Sequence, residues 1–441
     1  MKNKFLIVGG GGREAAFVNR LMEDSIVCAI LPHMNPTIIE CVEKTGGSYK
    51  IADVKNPAAV RLFAIECRAD YVFVSADDPL ACGVVDELLK HNIKAVGGTA
   101  DATRIEWDKI YSIEYMNRVC PEHTPFYKII SKKSQIQPAI DEFIQKNKQI
   151  VVKPQGLTGG KGVKVMPDHL PDFSDVLKYA TELLDLKPAE KVLLMEKISG
   201  FEFTIMGLTD GDSLQISPAT YDYPYRYEND KGAGTGGMGC FTQADGLLPF
   251  LISSDIKICQ NIMTKIIKQM KKDGLNYSGV LNGGFFKNKD GIFFMEYNSR
   301  FGDPEALNIL KIIDGSFADF IVSLYEKTLD KNPVKFIKKA SVVKYLVAKE
   351  YPLKSFDSME FIIDDDKISK AGVDILYGAC YRHNGKIKTL KSSRILALIN
   401  TASVPSDASD KINKVIKNNF SDDLEYRSDI GSKQNLKKLS S

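Results

Sequence analysis

At 441 residues the chain is longer than one hydrophobic core usually serves, and roughly two to four domains are expected. Its 59 basic and 56 acidic residues leave a formal charge of +3, a near-balance that gives no footing for nucleic-acid binding. Apolar runs such as "FLIV" and "VLL" are strand-length, too short for a membrane span, and the first breaks at glycine too early for a signal peptide.

Through the N-terminal part, "KFLIVGG", "IVCAIL", "ADYVFVS" and "KAVGG" read as strands. "REAAFVNRLME", "PAAVRLFAIECR" and "ACGVVDELLKHN" read as helices between them. That rhythm predicts a parallel sheet covered by helices. A single helix is expected over residues 103–116. Next, "QIVVKPQG" and "GVKVMP" flank a glycine loop. From "KVLLMEKISGFEFTIMGL" to "GIFFMEYNSRFGDPE" apolar and polar residues alternate, as in an antiparallel sheet. After about residue 330 the chain becomes β-rich, and the lysine-rich tail after Ser432 is expected to be mobile. Eight scattered cysteines without a C-x-x-C pair read as small core residues with reduced thiols, in a cytoplasmic protein.

Two glycine clusters follow strands. "IVGGGGREAA" (7–16) lacks the dinucleotide fingerprint: Glu14 stands where a third glycine belongs, and the next strand ends "AILPHMNP" without an acid. A tight turn and an anion site at a helix start fit it equally well. "VVKPQGLTGGKGVKV" (151–165) fails the Walker pattern, because Gly162 follows Lys161 where Ser or Thr is required. Its amides still suit phosphate oxygens, and Lys153 adds a point charge on the strand leading in.

"FFMEYNSRFGDPEA" (293–306) gathers Glu296, Asn298, Arg300, Asp303 and Glu305. Glu296 and Asn298 are two apart on a strand and so share a face. Hard oxygen ligands in that arrangement suit Mg²⁺. Phe293, Phe294, Met295 and Tyr297 around them place the pair against a core, where unpaired charge is costly.

Taken in order, "GGGGRE", "DDPLACGVVD", "IEWDK", "VVKPQGLTGGKGV", "EKISGFEFT", "DKGAGTGGMG", "NSRFGDPEA" and "KYLVAKEYP" resemble the ATP-grasp ligases, and among them the phosphoribosylamine–glycine ligase family. The most specific part is "TGGMG" followed by E-x-N-x-RFGDPE. The resemblance implies a multidomain α/β and α+β protein: an N-terminal parallel α/β domain (1–104), an ATP-grasp core (105–325) with a lid over about 125–195, and a small β-rich C-terminal domain (330–430). It implies an ATP-dependent ligase that joins glycine to 5-phosphoribosylamine through glycyl phosphate, working on small molecules as a monomer or weak homo-oligomer.

By position in the motifs, Lys109 and Lys153 would contact ATP phosphates, with Gly159, Gly160, Lys161 and Gly162 closing over them. Glu196, Lys197 and Ile198 would form the adenine hinge, and Glu202 would hold the ribose. Glu296 and Asn298 would bind Mg²⁺ or Mn²⁺. Arg300 and Asp303 would stand at the reacting groups. Gly10, Gly11, Gly12, Arg13, Glu14, Asp222, Arg226, Thr235, Gly236, Gly237, Met238 and Gly239 would line the phosphoribosylamine side.

Departures concentrate on that side. Ala15 replaces the usual histidine, Pro224 and Tyr225 replace a Lys–Arg pair, and Gly234 replaces an asparagine; at the hinge, Met195 replaces an acid. Arg226, one residue on, is expected to recover one lost cation from a loop, with Tyr223, Tyr225 and Tyr227 as a platform. The alternatives are a paralogous ligase for another carboxylate and amine, and a catalytically weak nucleotide-binding protein.

Overall fold

A computed structural model describes residues 2–156, 162–187, 190–352, 358–390 and 393–440. The N-terminal part is a five-stranded parallel sheet in the spatial order Tyr49–Ile51, Ile26–Leu31, Lys4–Val8, Tyr71–Val74, Ala95–Val96. Its central strands are apolar almost throughout, as a sheet covered on both faces requires. Strand order reverses between Lys4–Val8 and Tyr71–Val74. The turns leaving those two strands, residues 9–12 and 75–77, therefore border a crevice at their carboxyl ends, the usual ligand position in such sheets.

The helix expected over residues 103–116 is two helices, Ala100–Trp107 and Lys109–Val119. Asp108 leaves the helical backbone, and its carboxylate accepts from the amides of Ile110 and Tyr111 at 3.2 and 3.1 Å. The apolar periodicity runs through this break, so only the capping chemistry betrays it. Lys109 thereby becomes the first residue of a helix rather than a mid-helix side chain.

Two antiparallel sheets follow. One has the order Tyr127–Ile130, Val192–Glu196, Ile150–Pro154, Lys164–Val165, with helices Ile136–Gln145 and Phe173–Leu186 sharing its core. The other has the order Leu214–Ile216, Phe201–Thr209, Gly279–Asn288, Gly291–Asn298, and helix Ser253–Lys272 packs its apolar stripe against it.

A third sheet mixes mid-chain and C-terminal strands. Tyr221–Asp222 and Gly239–Thr242 pair with each other, and Gly239–Thr242 pairs with Ala340–Ala348, which continues to Leu396–Ala402 and Asp374–Tyr377. The "TGGMG" loop leads into Gly239–Thr242, so the C-terminal strands hold it from behind. The tail corrects an expectation. Lys433–Leu439 is a helix capped by Ser432, with Leu439 buried and Asn435 Nδ2 donating to Asp429 at 3.2 Å. Counting lysines misses its apolar anchor. Seven of the eight cysteines are buried, Cys82 is exposed, and all are free. Among the described residues no helix is long and apolar enough to cross a membrane.

Candidate active site

A cavity of about 550 Å³ opens between the two antiparallel sheets, a size suited to a nucleotide. Val151, Val165, Met195 and Phe286 give it apolar walls, and Glu196, Lys197 and Ile198 form one edge. The Glu196 carboxylate meets Lys148 Nζ and the Phe126 amide, and Lys197 pairs at 3.0 Å with Asp168, which also lines the cavity. The exchange of an acid for Met195 leaves an apolar surface there.

Lys153 enters the cavity from strand Ile150–Pro154 with its side chain buried. Among the described residues its amine has one hydrogen bond, to the Met295 carbonyl at 3.5 Å. Burial lowers its proton affinity, while Glu296 and then Glu202 raise it. Lys109 lies nearby: its amide donates to the Gln155 carbonyl at 3.0 Å, and its amine to that of Gly156 at 2.6 Å. Gln155 donates in turn to both oxygens of Asp108, at 3.2 Å each. The helix cap thus ties Lys109 to the start of the glycine loop. Gly159, Gly160 and Lys161 lie outside the described residues; Gly162, at the loop's far side, accepts a hydrogen bond from Tyr179 Oη at 2.9 Å.

Glu202 lines the same cavity, and burial followed by repulsion from Glu296 pushes its carboxyl up to about 7. The folded protein therefore holds a proton there that the unfolded chain, with an ordinary carboxyl near 4.5, releases. Folded molecules bind more protons, so stability falls as pH rises between these values. The melting temperature without ligand is expected to drop from pH 4.5 to 7.5, and Glu202→Gln to flatten that slope; an unchanged slope in a thermal scan would remove Glu202 as its source.

Glu296 and Asn298 share a face of strand Gly291–Asn298, opposite Gly284 and Asn282 of the neighbouring strand. The register slips by one residue at Met295, a bulge of the kind that re-aims side chains at sites. Among the described residues the buried Asn282 Oδ1 has no hydrogen-bond donor. A carboxylate, an amide oxygen and an orphaned amide oxygen on one face fit a divalent cation.

Arg300 joins this pair to the crevice of the parallel sheet. Its guanidinium donates to Asn298 Oδ1 at 3.1 Å and pairs with Glu106 at 3.2 Å and Asp77 at 3.6 Å. Asp77 also meets Arg13 at 3.5 Å, and Arg13 donates to Glu14 at 2.7 Å and to the Phe301 carbonyl at 3.1 Å. Burial opposes the charge on Asp77, but Arg300 and Arg13 outweigh it and hold the carboxyl below its usual range. Glu14 reaches back to the Gly11 amide at 2.8 Å, closing the glycine turn, and Gly10 accepts from Asn35 Nδ2 at 3.0 Å. A Cβ on Gly12 would sit 2.2 Å from Tyr345 Oη, so only glycine fits there.

Asp303 is held on both oxygens, by Tyr345 Oη at 2.6 Å and by Arg394 at 3.0 Å. Arg394 also donates to the carbonyls of Gly236, Gly237 (2.9 Å) and Asp303 (3.0 Å), and lies 4.3 Å over the Tyr345 ring. Gly237 has φ +95°, a left-handed conformation that favours glycine. Thr235 donates to the Pro224 carbonyl at 2.8 Å, and buried Met238 bonds the Tyr223 carbonyl through its amide, also at 2.8 Å. With Gly239 entering the third sheet, the whole loop is fixed.

Arg226 is not brought into this crevice. It is 2% exposed and donates to the carbonyls of Tyr351 (2.7 Å) and Ala348 (3.3 Å) and to Glu425 at 2.5 Å. Nor do the three tyrosines form a platform: Tyr223 is fully buried against Arg427, Tyr225 lines the nucleotide cavity from the exposed face of strand Tyr225–Tyr227, and Tyr227 is exposed. Of the groups that join the site, Asp77, Glu106, Tyr345 and Arg394 lie within or beside stretches that stand out in the sequence, but nothing local singles them out.

Comparison with known proteins agrees with this geometry. Residues 3–106 match the family described as phosphoribosylglycinamide synthetase, N domain, and residues 108–306 match phosphoribosylglycinamide synthetase, ATP-grasp (A) domain. The phosphoribosylamine–glycine ligase of Methanocaldococcus jannaschii is 35% identical over 442 residues, covering 99% of this chain and 98% of its own. That of Pyrococcus furiosus is also 35% identical, with 99% and 96% covered. The crystal structure of phosphoribosylamine–glycine ligase from Thermotoga maritima superimposes with a TM-score of 0.78 at 22% identity, covering 97% of this chain and all of that one. The chain belongs to the phosphoribosylamine–glycine ligase family of ATP-grasp enzymes.

Proposed function

We propose that the protein joins glycine to 5-phosphoribosylamine with ATP, giving glycinamide ribonucleotide, ADP and phosphate. A glycine carboxylate oxygen attacks the γ-phosphorus, and the bond to the β-phosphate oxygen breaks. The acceptor amine then attacks the acyl carbon, the bond to phosphate breaks, and the nitrogen loses a proton. The observation that carries the reading is the position of Arg300, which touches Asn298 on one side and Asp77 of the switch-point crevice on the other. It links a nucleotide cavity to a second, anion-friendly crevice.

Lys109 and Lys153 orient phosphate oxygens, and the 194–198 edge takes the base, with Glu202 near the ribose. Glu296 and Asn298 hold a divalent cation, Mg²⁺ or Mn²⁺, which when bound neutralises charge on the transferred phosphoryl group. Arg300 stabilises charge on the acyl phosphate oxygens. Asp303, spent on Tyr345 and Arg394, positions the "TGGMG" and "RFGDPE" loops. The N-terminal turn with Arg13 and Glu14 faces the phosphorylated amine. The reading includes a cytoplasmic setting and a monomer or weak homo-oligomer.

The test is ADP release across a panel of amino acids and amines. Release that requires both glycine and phosphoribosylamine is expected. Release with some other pair, but not with this one, would make the protein a paralogous ligase.

A further inference from the structure

Gln155 follows the buried strand Ile150–Pro154 at the root of the glycine loop, and its side chain reaches sideways to two other elements. Its amide nitrogen donates to both oxygens of Asp108 at 3.2 Å. Its amide oxygen accepts from the Lys191 backbone amide at 3.1 Å, just before strand Val192–Glu196. An acceptor at one end and a donor at the other leave one orientation that satisfies the amide. Lys109 repeats the link, its own amide donating to the Gln155 carbonyl at 3.0 Å and its ammonium to the Gly156 carbonyl at 2.6 Å. Two adjacent residues, Asp108 and Lys109, are thus bound to two adjacent residues, Gln155 and Gly156, through main chain and side chain alike.

The fold has little need of this extra tie. Asp108 is buried, but the amides of Ile110 and Tyr111 already meet one of its oxygens, and the Arg104 guanidinium meets the other at 3.2 and 2.9 Å. Arg104 is itself braced over the Tyr111 ring at 4.5 Å. A carboxylate so supplied loses little when one neutral donor goes. Position is a different matter. Lys109 begins helix Lys109–Val119, and with Lys153 and Glu296 it borders a small space that adjoins the nucleotide cavity. A lysine's long flexible stem spreads its ammonium over many positions unless both ends are held. The helix cap holds one end and the Gly156 carbonyl the other, and Gln155 sets the distance between these anchors. Among the described residues that line the nucleotide cavity Gln155 has no place, so its influence on ATP runs through Lys109.

We infer that Gln155 is a positioning residue for phosphoryl transfer: by tying the Asp108 cap to the root of the glycine loop, it fixes the Lys109 ammonium where the ATP phosphates bind. The inference rests on the ligase reading, in which Lys109 contacts those phosphates, and names the group that places it. Misplacing a reacting or charge-bearing group by about 1 Å costs up to about a hundredfold in rate, far more than the tie is worth to the fold.

The experiment measures ADP release by the full-length enzyme with glycine and phosphoribosylamine, varying ATP and glycine in turn, for Gln155→Ala, Lys109→Met and the double variant. Gln155→Ala should lower kcat/KM for ATP by about tenfold or more and leave the KM for glycine within about twofold. Its melting temperature without ligand should stay within about 2 °C of the wild type's, which separates lost placement from lost folding. Gln155→Glu, alike in size, sets a second acid against Asp108 and should lose as much activity. In the Lys109→Met background, Gln155→Ala should cost less than about twofold more, because no ammonium is left to place. Losses that multiply in the double variant mark a structural tie and overturn the inference. So does an unchanged kcat/KM in both Gln155 variants beside an impaired Lys109→Met, and either result leaves the ligase reading intact. A wild type that releases no ADP with glycine and phosphoribosylamine overturns the ligase reading and the inference with it.

Discussion

Glu296→Gln is expected to cut turnover by about a hundredfold or more, the scale on which loss of one preorganised electrostatic group acts. Glu296 is the only carboxylate of the proposed cation pair, and a neutral amide keeps its size while removing its charge. Asn298 cannot compensate, since its Oδ1 is shared with Arg300 at 3.1 Å. Weaker cation binding leaves the transferred phosphoryl group with less neutralisation, so the loss should appear in kcat and recover in part when Mg²⁺ or Mn²⁺ is raised. The measurement is ADP release at saturating ATP across a metal titration. Full activity at ordinary metal concentration would place the cation elsewhere.

The architecture was legible where chemistry is local. Unbroken apolar strands and alternating ones separate a covered parallel sheet from antiparallel sheets, and Glu296 and Asn298 share a face because their spacing is two. Three things were not legible. Asp108 interrupts a helix whose apolar faces run on, and only its cap reveals the break. Arg13, Tyr345 and Arg394 find partners 288, 42 and 91 residues away, at Phe301 and Asp303, so no window of sequence contains the contact. Arg226 shows the third limit. A one-residue shift would be harmless in a loop, but residues 225–227 are a strand, where each step reverses the face. Tyr225 and Tyr227 take the outer face, and Arg226 is turned inward to Glu425. The two cations lost at Pro224 and Tyr225 are not recovered there.

Lys153→Met is expected to weaken ATP binding by roughly 1.5–3 kcal/mol, the worth of a charge-assisted hydrogen bond, while the empty protein keeps its melting temperature. Without nucleotide the amine is poorly satisfied. It is buried, its one hydrogen bond among the described residues is 3.5 Å long, and desolvation opposes its charge. Methionine fills a similar volume with no charge to desolvate, so packing is conserved. The acids left behind have a way to adjust: Glu202, already pushed up to about 7, takes up a proton more readily once the neighbouring ammonium is gone. The stability gained on adding ATP should therefore shrink while the starting point stays put. Thermal scans with and without ATP separate the two quantities, because bound ligand raises the transition only in proportion to its affinity. A variant that melts like the wild type and is stabilised equally by ATP would show that the phosphates lie elsewhere. One that melts much lower would show that Lys153 holds the sheet rather than the nucleotide.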